Sequence, residues 1–468
     1  MEQLHTPTSE RRVLSIIVCV VFLAVMSGTM VNVSLPIVGQ HFQTTESVYG
    51  WLVTGFTLTF ALFSAVHGRL ADNYGSRRLY LIGLTLFSIL AVFIAASPSI
   101  ELMIGLRVLQ GAGAAAMPAL GTVIISRVFP ETRRGRAMGY ILGTVGFAAS
   151  IGPFFGGAIA QWVGWRAVFL FPALGLVLLP LGRRWLPKHL DEVTPKPIDI
   201  LGACLLTASS TALMWVPSSI KSYGWSVPTW CALGLGLLFG IAFLVRVQTT
   251  RHPFLPPHLF RINAYRMSLL VAFLAQATRF GTVVLIPILL LNVHQLTPIQ
   301  VGFCLCPGAI CIAVLSPQMG AWSDRIGTII PVALGLTAML AGNIITAATC
   351  GSSTIGVTVG ITLYGVGFAA IQSPMVNGVS RQLPKPVLGI GLGMFMMTFF
   401  LGGAFGVAIS MVAIDIQQPE TASWLGLELG EGGRFSNAML CLTGLGLLAL
   451  ALVTHLPGAP QKAQAPTA

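Results

Sequence analysis

Two arginines, Arg107 and Arg279, lie inside long apolar stretches of the sequence. A cation in the middle of a membrane helix costs about 2.5–3.5 kcal/mol on insertion scales, so such a residue indicates a functional site by default. No acidic residue lies near Arg279 in the sequence, and in a central cavity it would attract an anionic or enolate-bearing substrate. The alternatives are that Arg279 lies against carbonyl groups or water, and that Arg107 extends to the outer membrane interface.

Carboxylates are missing from the same stretches. None of the 14 Asp and Glu residues lies deep within an apolar run. Because a membrane-embedded acid is the simplest proton carrier, any movement of protons through these stretches would have to use Arg107 with its polar neighbours, His67, or an interfacial acid such as Glu101. The remaining possibility is that the chain carries no protons.

Aromatic, sulfur-containing and amide side chains near the centres of the apolar runs complete a candidate substrate pocket. Such residues form adaptable apolar cavities, although in any membrane bundle most of them are core or lipid-facing. The candidate substrate-binding residues are Phe56, Met117, Phe147, Gln276, Arg279 and Phe280.

Two short loops share one pattern, in which an Asp follows a Gly by four residues and a second Gly follows the Asp by three. They are Gly68–Arg78 and Gly320–Gly327. The first Gly permits close helix approach, the second permits a tight turn, and the Asp can cap a helix start. These loops predict gating contacts at one membrane surface by Gly68, Asp72, Gly75, Arg77, Arg78, Asp324 and Gly327.

Fourteen apolar runs are each long enough to cross a hydrocarbon core about 30 Å thick. They span 14–35, 49–67, 79–97, 102–127, 137–161, 165–182, 199–217, 229–247, 266–291, 299–320, 329–349, 354–378, 387–412 and 436–455. Of the 26 Lys and Arg residues, 21 fall in the two tails, in the loops on one side or at the span ends that border those loops. The excess predicts a polytopic membrane protein with both termini in the cytoplasm.

The repeated loop follows the second span of each group of six, which predicts two equivalent bundles with two extra helices between them. The predicted units are residues 1–182, a six-helix bundle; residues 183–263, a two-helix linker with flanking cytoplasmic loops; and residues 264–468, a second six-helix bundle with a short tail. A cavity between the bundles would hold the substrate.

Composition excludes several other classes of protein. The net charge of +12 is spread over the loops, which explains it by topology and leaves no nucleic-acid site. Seven of the eight cysteines lie in apolar runs and Cys350 directly follows one. A thiol behaves there as a small hydrophobe, so no disulfide framework and no metal site is expected. No nucleotide motif and no catalytic constellation is evident, which argues against an ATP-driven pump, a membrane-embedded enzyme and a cofactor.

Three segments make the chain resemble the major facilitator superfamily: the Gly68–Arg78 loop, the Arg107–Gly113 segment and the Gly152–Gly157 segment. Within that superfamily it resembles the fourteen-span drug:proton antiporters related to tetracycline exporters, at Asn32–Pro36, Gln110–Ala116 and Val293–Leu296. The resemblance implies a proton-coupling role for Arg107 and Gln110. It also implies an exporter-type contact between the halves, which a proline and paired glycines make flexible, at Gly152, Pro153, Gly156 and Gly157.

The chain departs from that group in its carboxylates. Antiporters of this class carry acids in the first, fifth and thirteenth spans, whereas the matching neighbourhoods here contain Ser27–Thr29, Ala148–Ser150 and Gly402–Ala404. The resemblance predicts a monomeric exporter of a small amphipathic compound in a bacterial plasma membrane. A drug or antibiotic is the first expectation, with tetracycline one candidate and protons the candidate coupling ion. The alternative is an exporter of an organic anion or metabolite that is not coupled to protons.

Overall fold

The structure, a computed structural model, describes residues 7–44, 46–187, 199–224, 226–250, 253–255, 257–384, 387–415, 417, 423–424 and 431–456. These residues form helices and connecting turns, without a strand among them. Thirteen helices of the described chain are long and apolar enough to span a bilayer, and a fourteenth contains a shorter apolar stretch, Ile200–Leu213. The parts of the predicted units that fall in 1–6, 188–198 and 457–468 lie outside the described residues.

We number the helices in chain order. They are α1 (Pro7–His41), α2 (Trp51–Tyr74), α3 (Ser76–Ala95), α4 (Ile100–Val128), α5 (Glu131–Trp162), α6 (Trp165–Trp185), α7 (Ile200–Tyr223), α8 (Val227–Thr249), α9 (Asn263–Asn292), α10 (Pro298–Ile326), α11 (Ile329–Thr349), α12 (Thr354–Gln382), α13 (Leu388–Asp415) and α14 (Glu431–Leu452). Three short pieces, Glu46–Tyr49, Pro257–Arg261 and Val453–His455, lie beside them.

These helices form where the apolar runs were predicted, because a backbone in hydrocarbon must satisfy its N–H and C=O groups internally. Most helices extend beyond the predicted spans, since turns outside the bilayer continue the same hydrogen-bond ladder. In α6 the helix passes through a 3₁₀ turn at Phe171–Leu174. Pro172 lies in that turn and has no N–H to donate, which accounts for the local change.

Helices pack mainly within two groups. In the first group α2 and α3 pack on α4, and α1 packs along α5; in the second group α9 packs on α13, and α10 and α11 pack on α12. The groups meet mainly where α5 packs on α10 and α2 packs on α13, with smaller contacts of α12 with α5 and of α13 with α4. The remaining helices, α7 and α8, pack against each other, and α7 also touches α2 and α13. The predicted fold class, an all-α membrane protein of fourteen helices in a six-plus-two-plus-six order, is confirmed.

Backbone contacts between the groups concentrate near the two repeated loops. A methyl group at Gly68 would overlap the Gly389 carbonyl oxygen, and one at Gly139 would overlap the Ser316 carbonyl oxygen. We call the end of the bundle that carries the loops Gly68–Arg78 and Gly320–Gly327 the basic end, and the opposite end the distal end. The groups are therefore closed against each other at the basic end.

Candidate functional site

A cavity of about 820 Å³ lies between the two groups of helices, bordered by α1, α2, α5, α7, α9 and α13. Its lining on α2 runs from Trp51 to Phe60, and its lining on α13 runs from Phe400 to Val412. These are the distal parts of helices whose basic ends touch. The volume lies in the range of about 300–1,000 Å³ that small-molecule sites occupy.

Arg279 is the one ionisable side chain among the described residues that line the cavity. Its guanidinium carbon lies 3.9 Å from the ring centroid of Phe368 and 5.1 Å from that of Phe280. The residue is only 3% exposed, and its Nε and Nη1 are buried without a hydrogen-bond acceptor among the described residues. Aromatic faces attract the charge, but they do not replace the hydrogen bonds of a five-donor group.

Two glutamines lie with Phe368 around a small void that is separate from the cavity. Gln276 of α9 and Gln372 of α12 both border a void of about 10 Å³. The amide oxygen and nitrogen of each side chain are buried without a partner among the described residues. Because α9 starts at the basic end, Gln276 lies about one helical turn nearer that end than Arg279. Gln276 was predicted as a pocket residue; it borders this void instead of the large cavity.

Arg107 is also buried, but its surroundings satisfy it. Its Nη1 donates to Gln110 Oε1 at 2.6 Å, its Nη2 to the Ser27 carbonyl at 3.1 Å, and its Nε to the Leu52 carbonyl at 3.2 Å. Gln110 in turn donates to the Phe87 carbonyl at 3.0 Å. These bonds connect α4 to α1, α2 and α3 inside one group of helices, so the side chain does not extend to the membrane interface.

The other predicted pocket and coupling residues lie in several places. Phe56 lines the cavity, and its ring centroid is 4.0 Å from the Arg107 guanidinium carbon. Met117 is fully buried in the packed core, and Phe147 is half-buried and is not among the described lining residues. His67 is buried, with Nδ1 2.8 Å from the Phe63 carbonyl oxygen. Glu101, in the first turn of α4, is exposed.

Asp72 joins the two groups at the basic end. Its two carboxylate oxygens accept hydrogen bonds from the Gly389 N–H at 3.0 Å and the Ile390 N–H at 2.9 Å, in the first turn of α13. Arg127, at the end of α4, lies 3.2 Å from the same carboxylate. A negative charge on the first N–H groups of a helix is stabilised by the helix dipole, so Asp72 holds α13 against α2.

Asp324 makes the equivalent contact in the opposite direction. Its carboxylate accepts from the Gly135 N–H at 2.9 Å and the Arg136 N–H at 3.2 Å, near the start of α5. Asn377 and Arg381 of α12 donate to the same carboxylate at 2.9 Å and 3.0 Å. Each half therefore sends one aspartate to the start of a helix in the other half.

The turns that follow these aspartates have the backbone that the repeat predicted. Gly75 has φ of 88° and Gly327 has φ of 85°, which L-residues with a side chain rarely adopt. Arg77 donates to the Leu186 carbonyl at 2.9 Å, at the end of α6 in its own half. Arg78 is exposed. The two arginines thus belong to the surface of the first half and not to its contact with the second.

The Gly152–Gly157 segment of α5 faces two ways. A methyl group at Gly152 would overlap the Thr29 hydroxyl, and one at Gly156 would overlap the Met30 carbonyl oxygen. These glycines allow α5 to pack closely on α1 within the first half. They do not themselves form the contact between halves that the resemblance implied.

The residues between those glycines approach the second half. A methyl group at Gly302 of α10 would lie 3.8 Å from the Phe154 ring, whereas one at Gly157 would meet only a Val33 methyl, at 3.4 Å. Pro153 lies inside α5, which stays helical from Glu131 to Trp162. The contact between halves in this segment is thus made by Phe154.

The linker helix α7 contributes to the cavity, which the sequence did not indicate. Thr211 and Trp215 are among the lining residues. At the other end of α7, the Asp199 carboxylate accepts from the Gly202 N–H at 2.9 Å and from Arg246 Nε of α8 at 2.7 Å. This cap and ion pair fasten α7 to α8, so the linker forms a wall of the cavity beside α2 and α13.

Sequence reasoning also missed Gln372, Arg127 and Arg381. Gln372 is an amide side chain within an apolar run, which is the signal that had indicated Gln276. Arg127 and Arg381 end the fourth helix of each half, so extending the internal repeat from the loops to these helices would have found both.

Two bundles of membrane-spanning helices around a central cavity, closed at one end by contacts between the halves, define a polytopic membrane transporter. Residues 17–407, and in a second match residues 268–467, fit the sequence pattern described as Major Facilitator Superfamily. The chain belongs to the major facilitator superfamily.

Similar proteins agree with this assignment. The multidrug resistance protein Stp of Mycobacterium tuberculosis is 27% identical over 83% of this chain and 73% of its own length. The tetracenomycin C resistance and export protein of Streptomyces glaucescens is 27% identical over 86% of this chain and 77% of its own length. The crystal structure of the human organic anion transporter MFSD10 (TETRAN) superposes with a TM-score of 0.69 at 17% identity, covering 96% of this chain and all of that one. At that identity the likeness shows the fold alone.

Proposed function

We propose that this protein is a secondary transporter that exports a small amphipathic compound across a bacterial plasma membrane by alternating access. The observation that carries the proposal is the cavity of about 820 Å³ between the two halves, walled off from the basic end by the contacts of Asp72 and Asp324. Two relatives named for multidrug resistance and for tetracenomycin export support a drug or antibiotic as substrate. Tetracycline is one candidate.

Orientation follows from charge. Lys and Arg residues accumulate at the basic end, so we assign this end and both termini to the cytoplasm. The described conformation then presents its cavity toward the outside, as after delivery of substrate. A second conformation, open at the basic end, must receive the substrate.

The motion we propose is a rocking of residues 1–182 against residues 264–468, with residues 183–263 as linker. Opening the basic end would separate Asp72 from the start of α13 and Asp324 from the start of α5. Each separation exposes helix N–H groups and a carboxylate, and water must replace the lost hydrogen bonds. The two aspartates therefore set the balance between the conformations.

Coupling is proposed to involve Arg107 and Gln110, because no described lining residue of the cavity is an acid that could carry a proton. We infer that the protein acts as a monomer, since the cavity lies within one chain.

Transport in everted membrane vesicles tests the proposal. We expect tetracycline or another compound from a panel of amphipathic drugs to accumulate in vesicles that contain the protein. A comparison with and without an imposed pH gradient shows whether protons contribute. Vesicles without the protein are the control. Failure of every compound in a panel of amphipathic drugs, with the protein present in the membrane, would count against export.

The proposed role of Asp72 in holding the basic end closed can be tested separately. Ser64 is buried where Gly393 of α13 packs on α2, so a cysteine at position 64 should react with a water-soluble maleimide only when the basic end opens. In a cysteine-free background, Asp72→Asn should raise the labelling rate severalfold because the charged contact with α13 is lost. The control, Glu101→Gln, changes an exposed acid and should leave the rate unchanged. An equal labelling rate with and without Asp72→Asn would contradict the role of Asp72 in closing the basic end.

A further inference from the structure

We propose that the substrate of this transporter carries a negative charge, and that its anionic group binds Arg279 at the cavity wall. This inference rests on the proposed function, because it names a substrate class for the same cavity. The class is an amphipathic organic anion: a carboxylate, enolate or phenolate attached to a flat apolar body.

The first step is the charge of the cavity. Among its described lining residues Arg279 is the one charged group, and the remaining polar side chains are neutral, such as Thr54, Thr57 and Asn32. A cation in a cavity without an acid creates a positive potential that the walls do not screen. A cationic substrate entering here would meet like charge, which costs free energy, whereas an anion would be attracted.

The second step is unused hydrogen-bonding capacity. Nε and Nη1 of Arg279 are buried without an acceptor among the described residues. A guanidinium has five donors in a planar fork that matches a carboxylate. Buried donors that are not satisfied are expensive, so a ligand oxygen that accepts from them gains more than it would at an exposed arginine.

The third step is the apolar surround. Phe280 and Phe368 pack against the guanidinium, and Phe56 and Phe400 line the cavity. A flat apolar body could lie against such rings while its charged end reaches Arg279. This combination selects an amphipathic anion over a small inorganic one.

A second group of hydrogen-bonding atoms, on Gln276 and Gln372, lies nearer the basic end than Arg279 does. Gln276 and Gln372 border one small void with all four amide atoms lacking described partners. Opening of the basic end would bring this void into the inward cavity, since Gln276 lies about one turn toward that end from Arg279. The pair would then receive polar groups of the substrate before Arg279 does.

Two dyes with the same tricyclic ring system and opposite charge test the inference. Fluorescein is an anion near neutral pH, and rhodamine 123 is a cation. Binding of each to the purified full-length protein is measured by fluorescence anisotropy. We expect fluorescein to bind at least about tenfold more tightly than rhodamine 123, and Arg279→Met to weaken fluorescein binding by at least about tenfold. The same substitution should leave rhodamine 123 unchanged or bound more tightly.

Two further variants separate charge from fold. Arg279→Lys keeps the charge and loses the fork, so it should retain part of the fluorescein affinity. Arg166→Ala removes one exposed cation at the distal end and should leave both dyes unchanged. Melting temperatures of all variants, measured with and without fluorescein, show whether a loss of binding reflects unfolding.

The outcomes are distinguishable from failure of the proposed function. Tighter binding of rhodamine 123, or fluorescein binding that survives Arg279→Met, would overturn the inference. If vesicles still transport rhodamine 123 or tetracycline in that case, the export proposal stands and only the anionic class is lost. If fluorescein binds through Arg279 but no compound is transported, the anion site stands and export is lost.

Discussion

Arg107 and Arg279 lie in different halves of this protein, and both are almost fully buried, at 1% and 3% exposure. Arg107 donates three hydrogen bonds, to Gln110 and to the carbonyl groups of Ser27 and Leu52. Arg279 has aromatic rings beside it and two buried nitrogens without a described acceptor. Burial alone therefore does not tell what a membrane arginine does.

This difference between the two arginines indicates different roles for the two halves. Arg107 uses its donors to tie α4 to α1 and α2, so its charge is part of the packing of the first half. The second half leaves Nε and Nη1 of Arg279, beside the cavity, without a described acceptor. We infer that the first half contributes a fixed surface and the second half contributes the group that recognises a substrate.

The largest effect that would test this comparison is expected at Arg107. Arg107→Met should lower the free energy of unfolding by on the order of 3 kcal/mol, because it leaves the buried Gln110 amide oxygen without its donor and removes the hydrogen bonds to two helix carbonyl groups. Thermal melting of the detergent-solubilised protein, followed by tryptophan fluorescence, measures the change. An unchanged melting temperature would mean that the three bonds add nothing to the fold.

Arg279 should behave in the opposite way. Arg279→Met should raise the free energy of unfolding by about 1–3 kcal/mol, because an apolar side chain of similar length removes buried donors that lack acceptors. The melting temperature should rise while fluorescein binding falls. A loss of stability like that of Arg107→Met would show that Arg279 is a structural residue and would end the contrast.

The sequence predicted the features that depend on neighbouring residues, and it did not predict those that depend on residues far apart in the chain. The fourteen helices followed from local hydropathy, because an apolar run in a bilayer satisfies its backbone hydrogen bonds by forming a helix. The turns at Gly75 and Gly327 followed from an internal repeat, which is also a local pattern. Arg107 and Arg279 were found because a charged residue within an apolar run can be recognised from the sequence alone.

The sequence could not predict which of the two arginines would be satisfied. The acceptors of Arg107 at Ser27 and Leu52 are backbone carbonyls 80 and 55 residues away, and every residue has such a carbonyl. Trp215 was missed for the same reason, since only the packing of α7 beside α2 and α13 brings it to the cavity. The flexible contact implied at Gly152 and Gly156 was placed between the halves, whereas in the fold these glycines face α1.

The two glutamines that accompany the arginines repeat the comparison on a smaller scale. Gln110 accepts from Arg107 and donates to the Phe87 carbonyl, so Gln110→Leu should lower the free energy of unfolding by about 1–2 kcal/mol. Gln276 has no described partner, so Gln276→Leu should leave stability unchanged or slightly higher. Parallel melting curves of the two variants decide this, and equal losses would remove the distinction between the halves.

The smallest expected effect concerns the wall that the linker adds on the Arg279 side. Trp215 borders the cavity with an aromatic face, and loss of one such contact is worth about 0.5–1.5 kcal/mol. Trp215→Ala should therefore weaken fluorescein binding by about threefold to tenfold without changing the melting temperature.

The matched control is Trp162→Ala, which removes an exposed tryptophan that is not among the described lining residues. Because α7 borders the same cavity as Arg279, the loss caused by Trp215→Ala should disappear in a protein that also carries Arg279→Met, where little anion affinity remains to be lost. If Trp162→Ala weakened binding as much as Trp215→Ala, the linker would have no specific part in the site.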